Sequence, residues 1–238
     1  MNLRTAPSTS SEVVTKLPIG TEVRVIEVTN KDLELNNFKS KWVKVRVVSA
    51  NNLSEAIGYI WGGLLAYDKH ESSQDKEVYF LFGMSKVDKG SYSDKIIFQI
   101  RAVKGNKELS KIEFEGIGSF QTSVNFLVSA HKGLNNVTNI ITVDFSEDFC
   151  GGANGLVYVF WDKSNLHYVK TLSSGFDAPY FHNEEFYFPG DEKGKSGRII
   201  FHTESGEHKF EGDSDIEYDF QETIEYIWTG TELEQVSE

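Results

Sequence analysis

The sequence predicts an all-β protein, a small barrel of short strands followed by a larger antiparallel β domain, on three observations. Apolar residues recur at period two in short runs rich in Val, Ile, Phe and Tyr, with 17 Phe and 10 Tyr among 238 residues. Clusters of Gly, Asn, Asp, Ser and Pro separate those runs. A helical period is nearly missing, and only Asp88–Asp94 and the acidic stretch Glu217–Gln221 offer weak places for a short helix. Core material of this amount needs neither a disulfide nor a metal.

The first elements follow in order. Leu3-Arg4 leads into the turn-forming cluster Thr5 to Ser11. Val13, Val14 and Leu17 mark a short strand, and Pro18-Ile19-Gly20 a tight turn, with Pro presetting φ and Gly allowing φ > 0. Val23, Val25 and Val28 continue as a strand, Trp42 to Val47 alternates again, and Ile57-Gly58-Tyr59-Ile60-Trp61 closes the set before Gly62-Gly63-Leu64-Leu65. Four or five short strands within 66 residues make a small barrel.

Those residues also carry a resemblance. Leu3, Arg4, Pro7, Ser8 and Ser10, then Val14, Leu17, Gly20, Val23 and Val25, then Trp42, Lys44 and Val45, then Gly58, Tyr59 and Ile60 stand in an order that resembles a bacterial SH3 (SH3b) domain over residues 2–66. Two features depart from the family pattern: Ala6 stands where Gly usually precedes the Pro, and the loops Thr29–Lys41 and Val48–Ala56 are long. The resemblance implies an extracytoplasmic protein of the periplasm, cell envelope or secreted fraction. It implies docking to peptidoglycan or to an envelope protein, with Trp42, Tyr59 and Trp61 as candidate groove residues. Trp42 and Tyr59 fit a barrel core as well. Trp61, between Ile60 and two glycines, is the better candidate for an exposed contact. Because the first strand-like unit follows Met1 at once, a signal or lipoprotein segment is expected upstream.

Residues 67–75 read as a polar linker and residues 76–238 as a second domain. Its strand-length runs are Val78–Phe82, Ile96–Val103, Lys111–Phe114, Val124–Ser129, Ile140–Phe145, Leu156–Trp161, Tyr180–Phe181, Glu185–Phe188, Arg198–His202 and Thr223–Trp228. A faint repeat runs through it. Trp161, Leu166 and Val169 match Trp228, Leu233 and Val236 at equal spacings, and Val103 to Ile112 echoes the hairpin without the Trp. Each copy reads as strand, tight turn and return strand, with the Trp packing across on the returning Leu. Such hairpins resemble those of propeller blades and of uncharacterised bacterial envelope proteins. With so few copies, a sandwich or a partly propeller-like sheet pair is the expected architecture.

Charge supports a boundary near residue 66. Residues 1–66 carry eight Lys+Arg against six Asp+Glu, while the rest carries 16 against 30 within a chain of net charge −12. An acidic field of that size argues against nucleic acid. No run of about 18 apolar residues is present, so no transmembrane segment is expected. No Walker loop, dinucleotide glycine signature or zinc-ligand spacing occurs, and no cofactor or metal is expected.

The candidate chemistry of the second segment is sparse. Cys150, the only cysteine, precedes glycines that lead into a strand, not a helix N-terminus that would activate a thiol. Asp144-Phe-Ser146-Glu-Asp148 alternates oxygen ligands as calcium prefers, without the glycine turn or closing acid of an EF-hand. Asp213, Asp215, Glu217 and Asp219 read as a solvated strand edge. Adjacent Glu184 and Glu185 point to opposite faces of a strand and do not flank one bond. The aromatic run around Tyr180, His182 and Tyr187 offers a stacking platform for a ligand. Nucleophile, base and orienter nowhere stand at a persuasive spacing. A non-catalytic binding protein is therefore favoured over a cell-wall hydrolase acting through Cys150, Asp148 or Glu184.

Overall fold

A computed structural model of the chain describes residues 1–48, 56–147, 152, 154–209 and 216–237. Nearly every element is a β-strand, as the period-two runs predict, and among the described residues there is no α-helix. Neither stretch with weak helical character is a helix: Asp88 ends one strand and Lys95 begins the next, with a bent loop between them, and Glu217–Gln221 lies inside a strand.

The chain divides into two compact units, residues 1–71 with 77–115, and residues 72–76 with 116–238. The unit that contains the SH3-like segment thus extends to Glu115. The expected 76–238 domain is not one compact body, and the boundary expected at residue 66 falls inside the first unit.

Within the first unit, β1 (Asn2–Arg4), β2 (Val13–Lys16), β3 (Val23–Leu35), β4 (Phe38–Val47) and β5 (Ile57–Trp61) form an antiparallel sheet in the order β2-β1-β5-β4-β3. Leu3, Leu17, Val43, Val45 and Ile60 are its buried core. The register along β3 and β4 breaks at Val25/Glu27 and at Val28/Asp32. Such bulges bend a strand, and among the described residues the sheet does not close into the expected barrel. Gly58 packs against β1: a Cβ there would lie 2.6 Å from the Arg4 carbonyl oxygen.

A second sheet in the same unit runs β6 (Asp68–Glu71), β7 (Val78–Asp88), β8 (Lys95–Lys104), β9 (Lys107–Glu115). Phe82 stacks on Phe98 at 5.3 Å and 18°, and Phe98 on Phe114 at 6.5 Å and 27°, a ladder of rings across three strands. The expected linker 67–75 is not a free segment. Tyr67 donates its N–H to the Phe82 carbonyl, and β6 pairs with Tyr79–Phe82. Ser72, fully buried in the second unit, lies 2.7 Å from the Asn139 side chain. The Asn139 amide also donates to the Ser73 hydroxyl and the Ser129 carbonyl, so this buried polar group is well supplied with partners.

The second unit holds β10 (Ser123–Ala130), β11 (Asn139–Ser146), β12 (Asn154–Trp161), β13 (Leu166–Asp177), β14 (Tyr180–Tyr187), β15 (Ile199–His208), β16 (Ile216–Trp228) and β17 (Leu233–Gln235). They form one eight-stranded antiparallel sheet in chain order, a meander rather than the expected sandwich or propeller-like pair. The run Tyr180–Phe181 and the run Glu185–Phe188 up to Tyr187 belong to a single strand, β14, with Phe188 just beyond its end. Ile140, Phe160, Leu172, Phe186, Phe188, Phe201 and Trp228 lie in one buried core.

The hairpin repeat is real. Trp161 stands directly opposite Leu166, and Trp228 opposite Leu233. Both turns use a polar side chain to cap the next two N–H groups: Asp162 accepts from Ser164 and Asn165, and Thr229 accepts from Thr231 and Glu232. Both place a left-handed residue second in the turn, Lys163 at φ 85 and Gly230 at φ 108.

Candidate functional site

A groove of about 630 Å³ in the first unit opens beside the short 3-10 turn Gly62–Leu64. The turn crosses the face of the Trp61 indole. A Cβ on Gly63 would stand 2.4 Å from that ring, so glycine alone permits the approach. Leu64, 52% exposed, then projects at the groove, and Phe82, Gly83 and Met84 of β7 line its other side. Pro18 to Val23 and Val48 contribute further lining.

Two polar groups enter this apolar recess in fixed orientations. Gln99 donates from Nε2 to the Met84 carbonyl at 3.2 Å, and its Oε1 accepts from Arg101 Nε at 3.0 Å and Nη2 at 2.9 Å. Arg101 Nη1 donates to Glu108 at 2.7 Å. Three of its five N–H groups thus hold the guanidinium in place against Gln99 and Glu108, and the other two remain to donate to a carbonyl or carboxylate. At the rim, Lys69 pairs with Glu22 at 2.7 Å and lies 4.6 Å from the Tyr79 ring centre. Its hydrogen bond and charge hold the Glu22 carboxyl below the usual carboxylate range. An apolar cleft with a few fixed polar groups is the general form of a ligand site. Its chemistry suits an extended peptide with an apolar side chain and a carboxylate or carbonyl.

The residues expected to line a groove lie elsewhere. Trp42 and Trp61 are both 4% exposed, opposite each other on β4 and β5. The exposed contact expected of Trp61 is therefore corrected. Its Nε1 donates to the Leu33 carbonyl at 2.9 Å and the Ser40 carbonyl at 3.2 Å, and its ring packs on Phe38 at 4.9 Å. With Val87 these form a buried cluster that joins the SH3-like sheet to β7 of the second sheet. An indole N–H needs a partner when buried, and two facing carbonyls supply it. Tyr59 is half-buried, with Lys44 5.9 Å from its ring centre, and does not line the groove.

In the second unit, Tyr180 is 60% exposed at the start of β14. Tyr187 is half-buried: it donates to Glu185, accepts from Lys193 at 3.0 Å, and its phenol is pushed up by burial and by that carboxylate. His182 Nε2 lies 3.2 Å from the Ser173 hydroxyl, a partner that sequence reasoning missed because it sits on the neighbouring strand. Glu184 accepts from the Ser173 N–H at 2.8 Å and from its hydroxyl at 3.2 Å. Here the carboxylate and the imidazole both meet the serine. In a catalytic relay the acid instead orients the histidine from behind. The trio is a polar crosslink between β13 and β14. The other aromatic side chains nearby gather at Phe181, whose ring packs on His208 at 5.3 Å and Tyr218 at 6.0 Å.

Asp148 and Cys150 lie outside the described residues, as do Asp213 and Asp215. Of the calcium-like triplet, Asp144 and Ser146 are described: Asp144 is exposed on β11, opposite Asn125 and Leu156. Among the described residues no group of three or more His, Cys, Asp or Glu is placed to hold a metal ion, and no helix is long and apolar enough to cross a membrane.

The groove left two traces in the sequence. Gly83 interrupts the apolar run of β7, as a glycine does where another backbone comes close, here Leu65 to Tyr67. Leu64-Leu65 follows Gly62-Gly63 at the end of a strand, and Leu64 is left exposed. No curated protein and no solved structure matches the chain. Residues 1–66 match the family model described as the bacterial SH3 domain, and the five strands of this segment are in keeping with that similarity.

Proposed function

We propose that this is a non-catalytic, extracytoplasmic binding protein whose first unit holds an extended peptidic ligand. The ligand is a stem peptide of peptidoglycan or an extended segment of an envelope protein. The observation that carries this reading is the groove at Leu64. It has apolar walls and a guanidinium fixed by Gln99 and Glu108, and one of its walls belongs to the SH3-like segment. Bacterial SH3 domains serve in cell-wall or protein binding in general, which supports both the ligand class and the compartment.

The test is co-sedimentation of the whole chain with purified peptidoglycan sacculi, alongside Leu64→Asp and Tyr180→Ala. Placing a charge on the exposed apolar rim is expected to weaken retention about tenfold or more, roughly the effect of losing one anchor residue. Tyr180→Ala is expected to leave it unchanged. Undiminished retention of Leu64→Asp would remove the groove from the account. Release of soluble wall fragments over hours, abolished by Glu184→Gln, would show a wall hydrolase instead.

A further inference from the structure

The edges of the three sheets are not alike. The end strands β2, β3, β6, β9 and β17 all carry charge; β9 alone holds Lys107, Glu108, Lys111, Glu113 and Glu115. β3 is also broken by two register shifts. Charges and bulges are how sheet edges are kept from pairing with other chains. β10 has neither. Residues 116–131 contain no Asp, Glu, Lys or Arg, and β10 pairs with β11 through eight unbroken registers, so its backbone is regular to the end. Two of its apolar side chains are also open to solvent, Val124 at 37% and Leu127 at 49%, as is Phe120 just before the strand at 64%, while Phe126 is buried.

In an antiparallel sheet, alternate residues of an end strand turn their N–H and C=O groups outward. We propose that β10 is the seam of a symmetric dimer, with the β10 of a second copy of this chain added antiparallel to it. Charge selects that occupant. Two copies of a chain of net charge −12 repel wherever their acidic surfaces meet, and this charge-free strip brings no like charges opposite each other. Geometry agrees. A two-fold axis perpendicular to the sheet reverses the strand and preserves its faces. Val124 of both copies then shares one face and Leu127 the other, as an isologous interface requires. The result is one continuous sheet of sixteen strands, twice the eight of one copy. This is independent of the groove and of its ligand.

The test is sedimentation velocity on the full chain across the micromolar range, with the double variants Val124→Lys/Leu127→Lys and Val124→Glu/Leu127→Glu. The wild type is expected to be a dimer. Each variant alone is expected to be a monomer, its dissociation constant raised at least about tenfold by like charges across the seam. Mixing the two is expected to restore a dimer, which no loss of folding would do. Hydrogen exchange of the β10 amides in the wild type is expected to accelerate on dilution. A wild type that stays monomeric throughout would overturn the proposal, as would a dimer that both variants leave intact.

Discussion

Trp61 shows how a single side chain sets the meaning of its neighbourhood. Its indole N–H meets the carbonyls of Leu33 and Ser40, which stand opposite each other on β3 and β4, and its ring fills the space between Phe38 and Gly63. Trp61→Phe keeps most of the apolar area and removes the donor. It is expected to cost about 1–3 kcal/mol in urea unfolding, the usual penalty for buried acceptors left without a partner. Asp162 works in the same way at a turn. Burial raises its carboxyl, but the bonds from His167, Asn165 and Ser164 outweigh this and hold it below the usual value of 3.8. Stability from this group is therefore complete above about pH 4 and is lost as pH falls through its lower folded value. Asp162→Asn is expected to destabilise by about 1–2 kcal/mol at neutral pH. The gap to wild type should close in acid melts near pH 2, and a gap of equal size at both pH values would contradict this role. The sequence marked Trp61 as unusual for its place. It gave no sign of which way the ring turns, because period two assigns a face and not what lies over it.

At the scale of elements, alternation and turn chemistry were enough to find most strands and the paired hairpins. The Trp–Leu spacing is local, and each hairpin closes on itself with its own cap, Asp162 or Thr229. Sheet order was less legible. Nothing in residues 123–130 or 233–235 says that they end one sheet rather than face each other in two. The polar segment Asp68–Glu71 hid a strand because β6 buries little of its own surface and is held by backbone pairing with β7. The strand β16 was hidden in part by its acidic start, where Glu217 and Asp219 are exposed and favour no core face. The groove was visible only as two glycines out of place, Gly63 and Gly83.

For the whole molecule, the charge break near residue 66 and the family match end together, yet the compact unit runs on to Glu115. Charge records the surface of a segment, whereas packing decides what folds with what. Phe38 and Trp61 bury against Val87, and Asn36 and Asn37 bond to the backbone of Ser85 and Val87. A fragment of residues 1–66 is therefore expected to melt at a markedly lower temperature than one of residues 1–115, and to bind a hydrophobic dye that the longer one does not. Equal melting of both fragments would place the boundary back at residue 66.

The central claim is that ligand enters beside Leu64, between the SH3-like segment and β7. Hydrogen exchange read by mass spectrometry, on the whole chain with and without soluble peptidoglycan fragments, tests it most directly. The account predicts slower exchange in residues 62–66 and 81–84 when the fragments are present. Protection confined to residues 180–187, or no change anywhere, would contradict it.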